Sequence, residues 1–323
     1  MPENIHDRGY KRILAKKKNF LSLLKNFIDE PWISDVQEEN LELIDKEFIL
    51  KDFKEREADV IYKMSFNEKE VIFYCLLELQ SSVDYSMPFR LLIYMTELWK
   101  RYFEDYDSKL KKRADFRLPA IIPIVLYNGQ EEWTAVRSFK EYLSDFSHFG
   151  NRVIDFEYIF LSVNKYEDEA LKNVGNLISS IFLLDKRQER ENIRNNLSFI
   201  WSIFADMDEE EQIDFLDWIK GVLLKKVRHM DKKDIDDAII NFEKGSVEYM
   251  TYAIERMFDE EREKGIEIGM EIGMEKGMEK GMEKGMEESM IKVAKAMLSL
   301  DEPLEKISKL TELSIDKIKK LKM

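Results

Sequence analysis

An N-terminal α/β domain, a mixed sheet flanked by helices, followed by an all-α C-terminal region is the architecture these 323 residues predict. Three observations lead there. Runs rich in Val, Ile, Phe and Tyr, which suit a pleated and half-buried surface, are confined to residues 1–165. An amphipathic helical stretch separates two of those runs, as a right-handed β-α-β crossover requires. From about Tyr166 to Glu263 the apolar residues recur at helical intervals.

Residues 7–28 place Ile13, Leu14, Phe20, Leu21, Leu23, Leu24, Phe27 and Ile28 at helical spacing, with a break near 16–19. Pro31 ends that pattern. Residues 37–50 fit either a short helix or a strand through 48–50. A strand over 58–64, a turn over 65–69 and a strand over 70–80 form an antiparallel hairpin. Pairing Met64 with Glu70 sets Asp59 opposite Cys75 and Glu78 opposite Arg56, so the two acids lie near one end. Glu78 and Gln80, two apart on a strand, share a face. A helix over 87–106 presents Leu91, Leu92, Met95, Leu98, Trp99 and Phe103. An almost wholly apolar strand over 119–127 ends at Asn128-Gly129, and 152–163 supplies the last strand.

The organisation therefore reads as 1–165 for the α/β domain, 166–263 for a helical region, 264–289 for a repeat and 290–323 for a small helical module. In the repeat, Gly265, Gly269, Gly273, Gly277, Gly281 and Gly285 recur every fourth residue, and Met270, Met274, Met278, Met282 and Met286 follow five of them. Six glycines cost on the order of 5–6 kcal/mol of helix propensity relative to alanine. Close approach of another helix offsets that cost, and the interleaved Glu and Lys exclude a membrane span. The segment is either a soluble helical stem joining a homodimer or higher homo-oligomer, or a semi-rigid linker grown by repeat slippage. Beyond it, 290–298, 303–310 and 314–321 read as three short amphipathic helices resembling a small helix-turn-helix, serving either packing or DNA reading.

Composition narrows the classes. The chain is 44% hydrophobic and 36% charged, which predicts a soluble globular protein. Its longest apolar runs are too short to cross a bilayer, and its start lacks the pattern of a signal peptide. Cys75 is the single cysteine and falls in an apolar strand, so an internal disulfide is excluded and a cytoplasmic location is expected. The net charge of −14 argues against nucleic-acid binding, but local patches set phosphate attraction. Arg8, Lys11, Arg12, Lys16, Lys17, Lys18 and Lys25 form one basic cluster. Lys100, Arg101, Lys109, Lys111, Lys112, Arg113 and Arg117 form another. The three histidines have neither zinc-ligand spacing nor a Ser-His-Asp arrangement, and no phosphate-binding glycine loop is present.

The chemistry concentrates in Arg56-Glu57-Ala58-Asp59-Val60 and Leu77-Glu78-Leu79-Gln80-Ser81. Both acids interrupt segments that otherwise read as buried strand, and an ionised carboxylate there needs a positive counterpart. Two acids and an amide at one end of a hairpin make a natural Mg²⁺ site. The arrangement is similar to the Asp…Glu-x-Lys core of the PD-(D/E)XK nucleases. More closely, these residues resemble the Rpn recombination-promoting nucleases, also called YhgA-like transposases. The resemblance also runs through His6-Asp7, Tyr10-Lys11, the segment Met87-Pro88-Phe89-Arg90-Leu91-Leu92-Ile93-Tyr94, and Leu118 to Gly129.

The resemblance implies a restriction-endonuclease-like fold and metal-dependent cleavage of DNA. It implies that Asp59, Glu78 and the Leu79 backbone carbonyl hold Mg²⁺, with Mn²⁺ or Ca²⁺ as substitutes. Gln80 stands where the superfamily usually has lysine; it can orient water but carries no charge and cannot take up a proton. Ala58 replaces a proline of the pattern. Arg90 and Tyr94, four apart on the following helix, resemble a helical element of related nucleases. There Arg90 either clamps a phosphate or makes a surface salt bridge. Asp7 and Lys11 either approach the same cleft or serve as ordinary capping and solvated charge. A DNA-binding or interaction protein that keeps the fold and cleaves negligibly is the rival reading.

Overall fold

The computed structural model describes residues 5–44, 60–66, 69–78, 83–186, 190–227 and 230–321. Among these residues the chain divides into two units, Met1–Met257 and Phe258–Met323.

The first unit opens with helices α1 (Ile5–Leu14) and α2 (Lys17–Phe27), broken where the sequence predicts. The break has a cause. Carbonyls at the end of α1 are taken by side chains instead of by a continuing helix: Asn19 donates to Ile13 O at 3.1 Å, and the Tyr62 hydroxyl donates to Ala15 O at 2.6 Å. Pro31 then opens a single 3₁₀ turn.

The sheet follows as β1 (Leu41–Leu43), β2 (Val60–Phe66) and β3 (Lys69–Glu78), joined through helix α3 (Met87–Asp105) to β4 (Ala120–Tyr127). The four-residue α4 (Phe146–Phe149) precedes β5 (Ile159–Ser162). The spatial order is β1-β2-β3-β4-β5; the first two pairings are antiparallel and the last two parallel. This is the expected mixed sheet.

Two strand expectations are corrected. Met64 pairs with Val71 and not with Glu70, because the hairpin closes at Phe66↔Lys69 with only two residues between. A two-residue connection suits the twist of paired strands better than the longer turn read from composition. The last strand is also shorter than 152–163. Its first part bends away, bridging Ser138↔Glu157, while Asp155 accepts from Ser138 Oγ at 2.7 Å.

Each sheet face has its own cover. Against α1 and α2, Tyr62 stacks on Phe20 at 4.3 Å and Phe73 on Trp32 at 5.4 Å. On the other face Ile61, Ile72, Val125 and Tyr127 pack with Met87, Leu91, Tyr94 and Leu98 of α3 in one buried cluster. An apolar strand sandwiched in this way explains the near-continuous hydrophobicity of β4.

Helices α5 (Asp168–Val174), α6 (Leu177–Asp185), α7 (Arg190–Phe204), α8 (Glu209–Lys226) and α9 (Lys232–Glu243) complete the first unit with the start of α10 (Glu248–Ser299). Asn176, Asp208 and Asp231 begin α6, α8 and α9 with capping boxes, which fixes where each helix starts. Gly9 lets α1 approach α8: a Cβ there would stand 2.8 Å from the Trp218 ring.

In the second unit the repeat is helical throughout, lying within α10. The helix expected to begin at Met290 is the continuation of α10. Helices α11 (Leu304–Thr311) and α12 (Ile315–Leu321) fold onto its end, burying Ala294, Ile307, Leu313 and Ile318. No helix among the described residues is long and apolar enough to cross a membrane.

Candidate active site

Strand β3 ends at Glu78, whose backbone partner on the parallel neighbour β4 is Tyr127. The carboxyl ends of two parallel strands therefore coincide, and sites in open α/β sheets form at such an edge. Asp59, Leu79 and Gln80 lie outside the described residues, as do the side chains of Glu78 and Asp7. Among the described residues, no group of three or more His, Cys, Asp or Glu side chains is placed to hold a metal.

Several described elements frame the edge. Helix α3 begins nine residues after Glu78 and carries Arg90 in its first turns. Arg90 is ion-paired with Asp84, so the salt-bridge alternative is realised here. Asp84 also accepts from the Ser86 amide at 2.8 Å and the Ser86 hydroxyl at 2.6 Å. Partial burial pushes the Asp84 carboxyl upward, but the Ser86 and Arg90 hydrogen bonds outweigh it and hold the pKa below its ordinary value. Tyr94, one turn beyond Arg90, is buried in the α3 cluster. The reading from sequence missed Asp84. Its signal was Asp84-Tyr85-Ser86-Met87-Pro88, an Asp two residues ahead of an amide it can accept from at a helix start.

The other side of the edge is fixed by Asp185 at the end of α6. One of its oxygens accepts from the Tyr10 hydroxyl and from Asn128 Nδ2, each at 2.8 Å. Asn164 donates to the carbonyls of Asn128 and Gly129 at 3.0 and 2.9 Å. The Asn128-Gly129 pair is thereby a tie between β4, α1, α6 and the segment after β5. Burial, reinforced by Asp185, raises the Tyr10 pKa well above its ordinary value, so this phenol stays protonated and donating. Because α1 meets Tyr62 in mid-sheet at its end and Asn128 through Tyr10, its N-terminal half is directed at the carboxyl edge. The half-buried Lys11 follows Tyr10 there.

The two basic clusters fare differently. In the first, three cations face acids around the start of α8. Arg12 pairs with Asp214 and Asp217, Lys16 with Glu210 and Asp214, and Lys18 with Asp208 and Glu211. The second cluster falls largely on the connection between α3 and β4, next to Ala120, which pairs with Val71. That is the amino end of the parallel pair, about 25 Å of strand away from Glu78.

Comparison with known proteins is consistent with this architecture. A family model described as "Putative transposase, YhgA-like" matches residues 4–213, from the start of α1 into α8. The inactive recombination-promoting nuclease-like protein RpnE of Escherichia coli (strain K12) is 26% identical over 126 residues, 39% of this chain and 39% of that protein. The alignment thus spans about two-fifths of the relative's length. No solved structure matches the chain. With nearly two-thirds of its residues inside the family model, the chain belongs to the YhgA-like transposase family.

Proposed function

We propose that this chain is a Mg²⁺-dependent DNA endonuclease, acting in the cytoplasm in recombination or the movement of mobile DNA. The observation that carries the reading is the placement of Glu78 at the shared carboxyl end of β3 and β4, with α3 beginning nine residues later. The pleat supports it further. Ile61 and Ile72 both face α3, and Asp59 and Glu78 are each an even number of residues from them. A strand that continued its alternation would offer both acids to the α3 side, where Arg90 and Tyr94 stand.

The donor set suits the ion: two carboxylates and a backbone carbonyl are hard oxygen ligands. Asp59, Glu78 and Leu79 O would hold it, and when bound it would make a water acidic and neutralise charge developing on phosphate. Gln80 would position the attacking water through its amide. Arg90, shared with Asp84, would hold a phosphate oxygen, and Lys11 and Asp7 would border the DNA from α1.

A second reading is a DNA-binding protein on the same fold with negligible cleavage. It is favoured by the neutral Gln80 and by a relative whose name calls it inactive. Nicking of supercoiled plasmid in Mg²⁺ decides between them. Cleavage by the parent that Asp59→Ala and Glu78→Ala abolish supports the nuclease. Plasmid binding in Ca²⁺ with no cleavage in Mg²⁺ establishes the binder.

A further inference from the structure

The repeat of α10 presents an apolar face that nothing among the described residues covers. Met274 is 75% exposed, Met270 70% and Met278 66%, and the same face is extended at its start by Ile266. Beside the methionines, no atom of the described residues beyond the helix's own local backbone lies within 4 Å of where a Cβ would stand on any of the six repeat glycines. Large apolar side chains held in water along a helix normally mark a surface that a partner buries.

The flanking charge says what that partner is. Taking glycine as the origin, the following Met stands about 100° around the helix, the Glu about 200° and the fourth residue about 300°. The apolar face therefore has a Glu stripe (Glu271, Glu275, Glu279) along one border and a Lys stripe (Lys276, Lys280, Lys284) along the other. Within one helix each stripe sets like charges four apart, which is unfavourable. Two such helices side by side in parallel put the Glu border of each against the Lys border of the other. Antiparallel helices put Glu against Glu and Lys against Lys.

We propose that the occupant of this face is a second copy of the same chain, bound in parallel through the glycine–methionine repeat. The period adds the crossing sense. A four-residue repeat overshoots a full turn by about 40°, so the face winds right-handed around the helix. Two copies thus meet at a right-handed crossing, with glycines allowing close backbone approach, over a few repeats near Met274. Parallel pairing brings the amino ends of both stems to the same end of the dimer.

The test uses the full-length chain. Light scattering on the parent is expected to give twice the chain mass, and a monomer at all concentrations overturns the proposal. The variant Lys276→Glu/Lys280→Glu/Lys284→Glu is expected to dimerise about tenfold more weakly. Mixing it with Glu271→Lys/Glu275→Lys/Glu279→Lys should restore a heterodimer; a triple variant that dimerises like the parent overturns the charge argument. Orientation is read separately by oxidising Met270→Cys and Met278→Cys proteins. Each should form a disulfide dimer by itself that the parent does not form. Cross-linking only when the two are mixed means antiparallel helices and sinks the proposal.

Discussion

Lys16, at the junction of α1 and α2, and Asp214 of α8 approach to 2.6 Å, with the Asp214 side chain only 3% exposed. Arg12 reaches the same carboxylate at 3.4 Å. The acid is the buried partner and its cations lie nearer the surface, so removal of the acid is the informative change. Asp214→Ala leaves both cations able to turn toward water and is expected to cost about 2 kcal/mol in urea unfolding. If α8 also screens the basic residues of α1, the same variant binds plasmid more tightly at low salt. An unchanged midpoint would show that the pair contributes nothing.

The same pair has a pH signature. Burial lowers the Lys16 pKa, but the hydrogen bonds Lys16 donates to Asp214 and Glu210 overcome it and the net shift is upward from 10.5. A raised folded pKa stabilises the fold fully below the unfolded value, and the contribution disappears as pH climbs through the folded one. Alkaline unfolding above about pH 10.5 should therefore begin earlier relative to neutral pH in the parent than in Lys16→Met, which has no such proton to lose.

At the acid end Asp84 is one of the contributing groups. Its folded pKa is below 3.8, so its contribution is present above the unfolded value and lost as pH falls through the folded one. Asp84→Asn removes the ion pair with Arg90 and is expected to cost about 1–2 kcal/mol at neutral pH. The difference from the parent should shrink below about pH 4, where the unfolded chain's carboxylates protonate. A pH-independent difference would mean that Asp84 acts through packing alone.

How much of this was legible in the sequence follows from the range of each interaction. The hairpin, the α3 crossover and β4 depend on local periodicity, and they stand where the apolar residues put them. The register slipped by one residue because it is set by the connection between Phe66 and Lys69, where composition gives little guidance. The Asp185 tie was illegible: its donors Tyr10 and Asn128 are 175 and 57 residues away, and nothing in any one segment marks them as partners. The pairing of Arg12, Lys16 and Lys18 with acids around the start of α8 is likewise a product of tertiary packing, which is why the three read as a basic cluster. Arg90 and Tyr94 were singled out by a resemblance and a shared helix face, neither of which could reveal that Tyr94 is buried and Arg90 is engaged with Asp84.

The site residues separate by kinetics. Asp59→Ala and Glu78→Ala should each abolish nicking while plasmid binding persists. Arg90→Lys keeps the charge and loses the fork, so it should raise KM more than it lowers kcat. Gln80→Lys supplies the charge that related nucleases carry, and its cleavage rate in Mg²⁺ should exceed the parent's by about tenfold or more. A Gln80→Lys protein no faster than the parent would place the rate limit elsewhere than at this amide.

Glycine substitution in α10 separates a lone helix from a paired one. Among the described residues, a Cβ at Gly273 or Gly277 meets no atom within 4 Å beyond the helix's own local backbone. In an unpaired helix Gly→Ala should therefore only help, by about 1 kcal/mol per site. In a paired helix the same methyl group stands between two backbones. Gly273→Ala/Gly277→Ala is thus expected to raise far-UV helicity at high dilution and yet weaken the dimer measured by light scattering. Opposite movement of the two readouts is the expected signature, because propensity acts on one chain and close approach on two. If helicity and dimer affinity rise together, the glycines are not at the contact and the methionine border alone makes it.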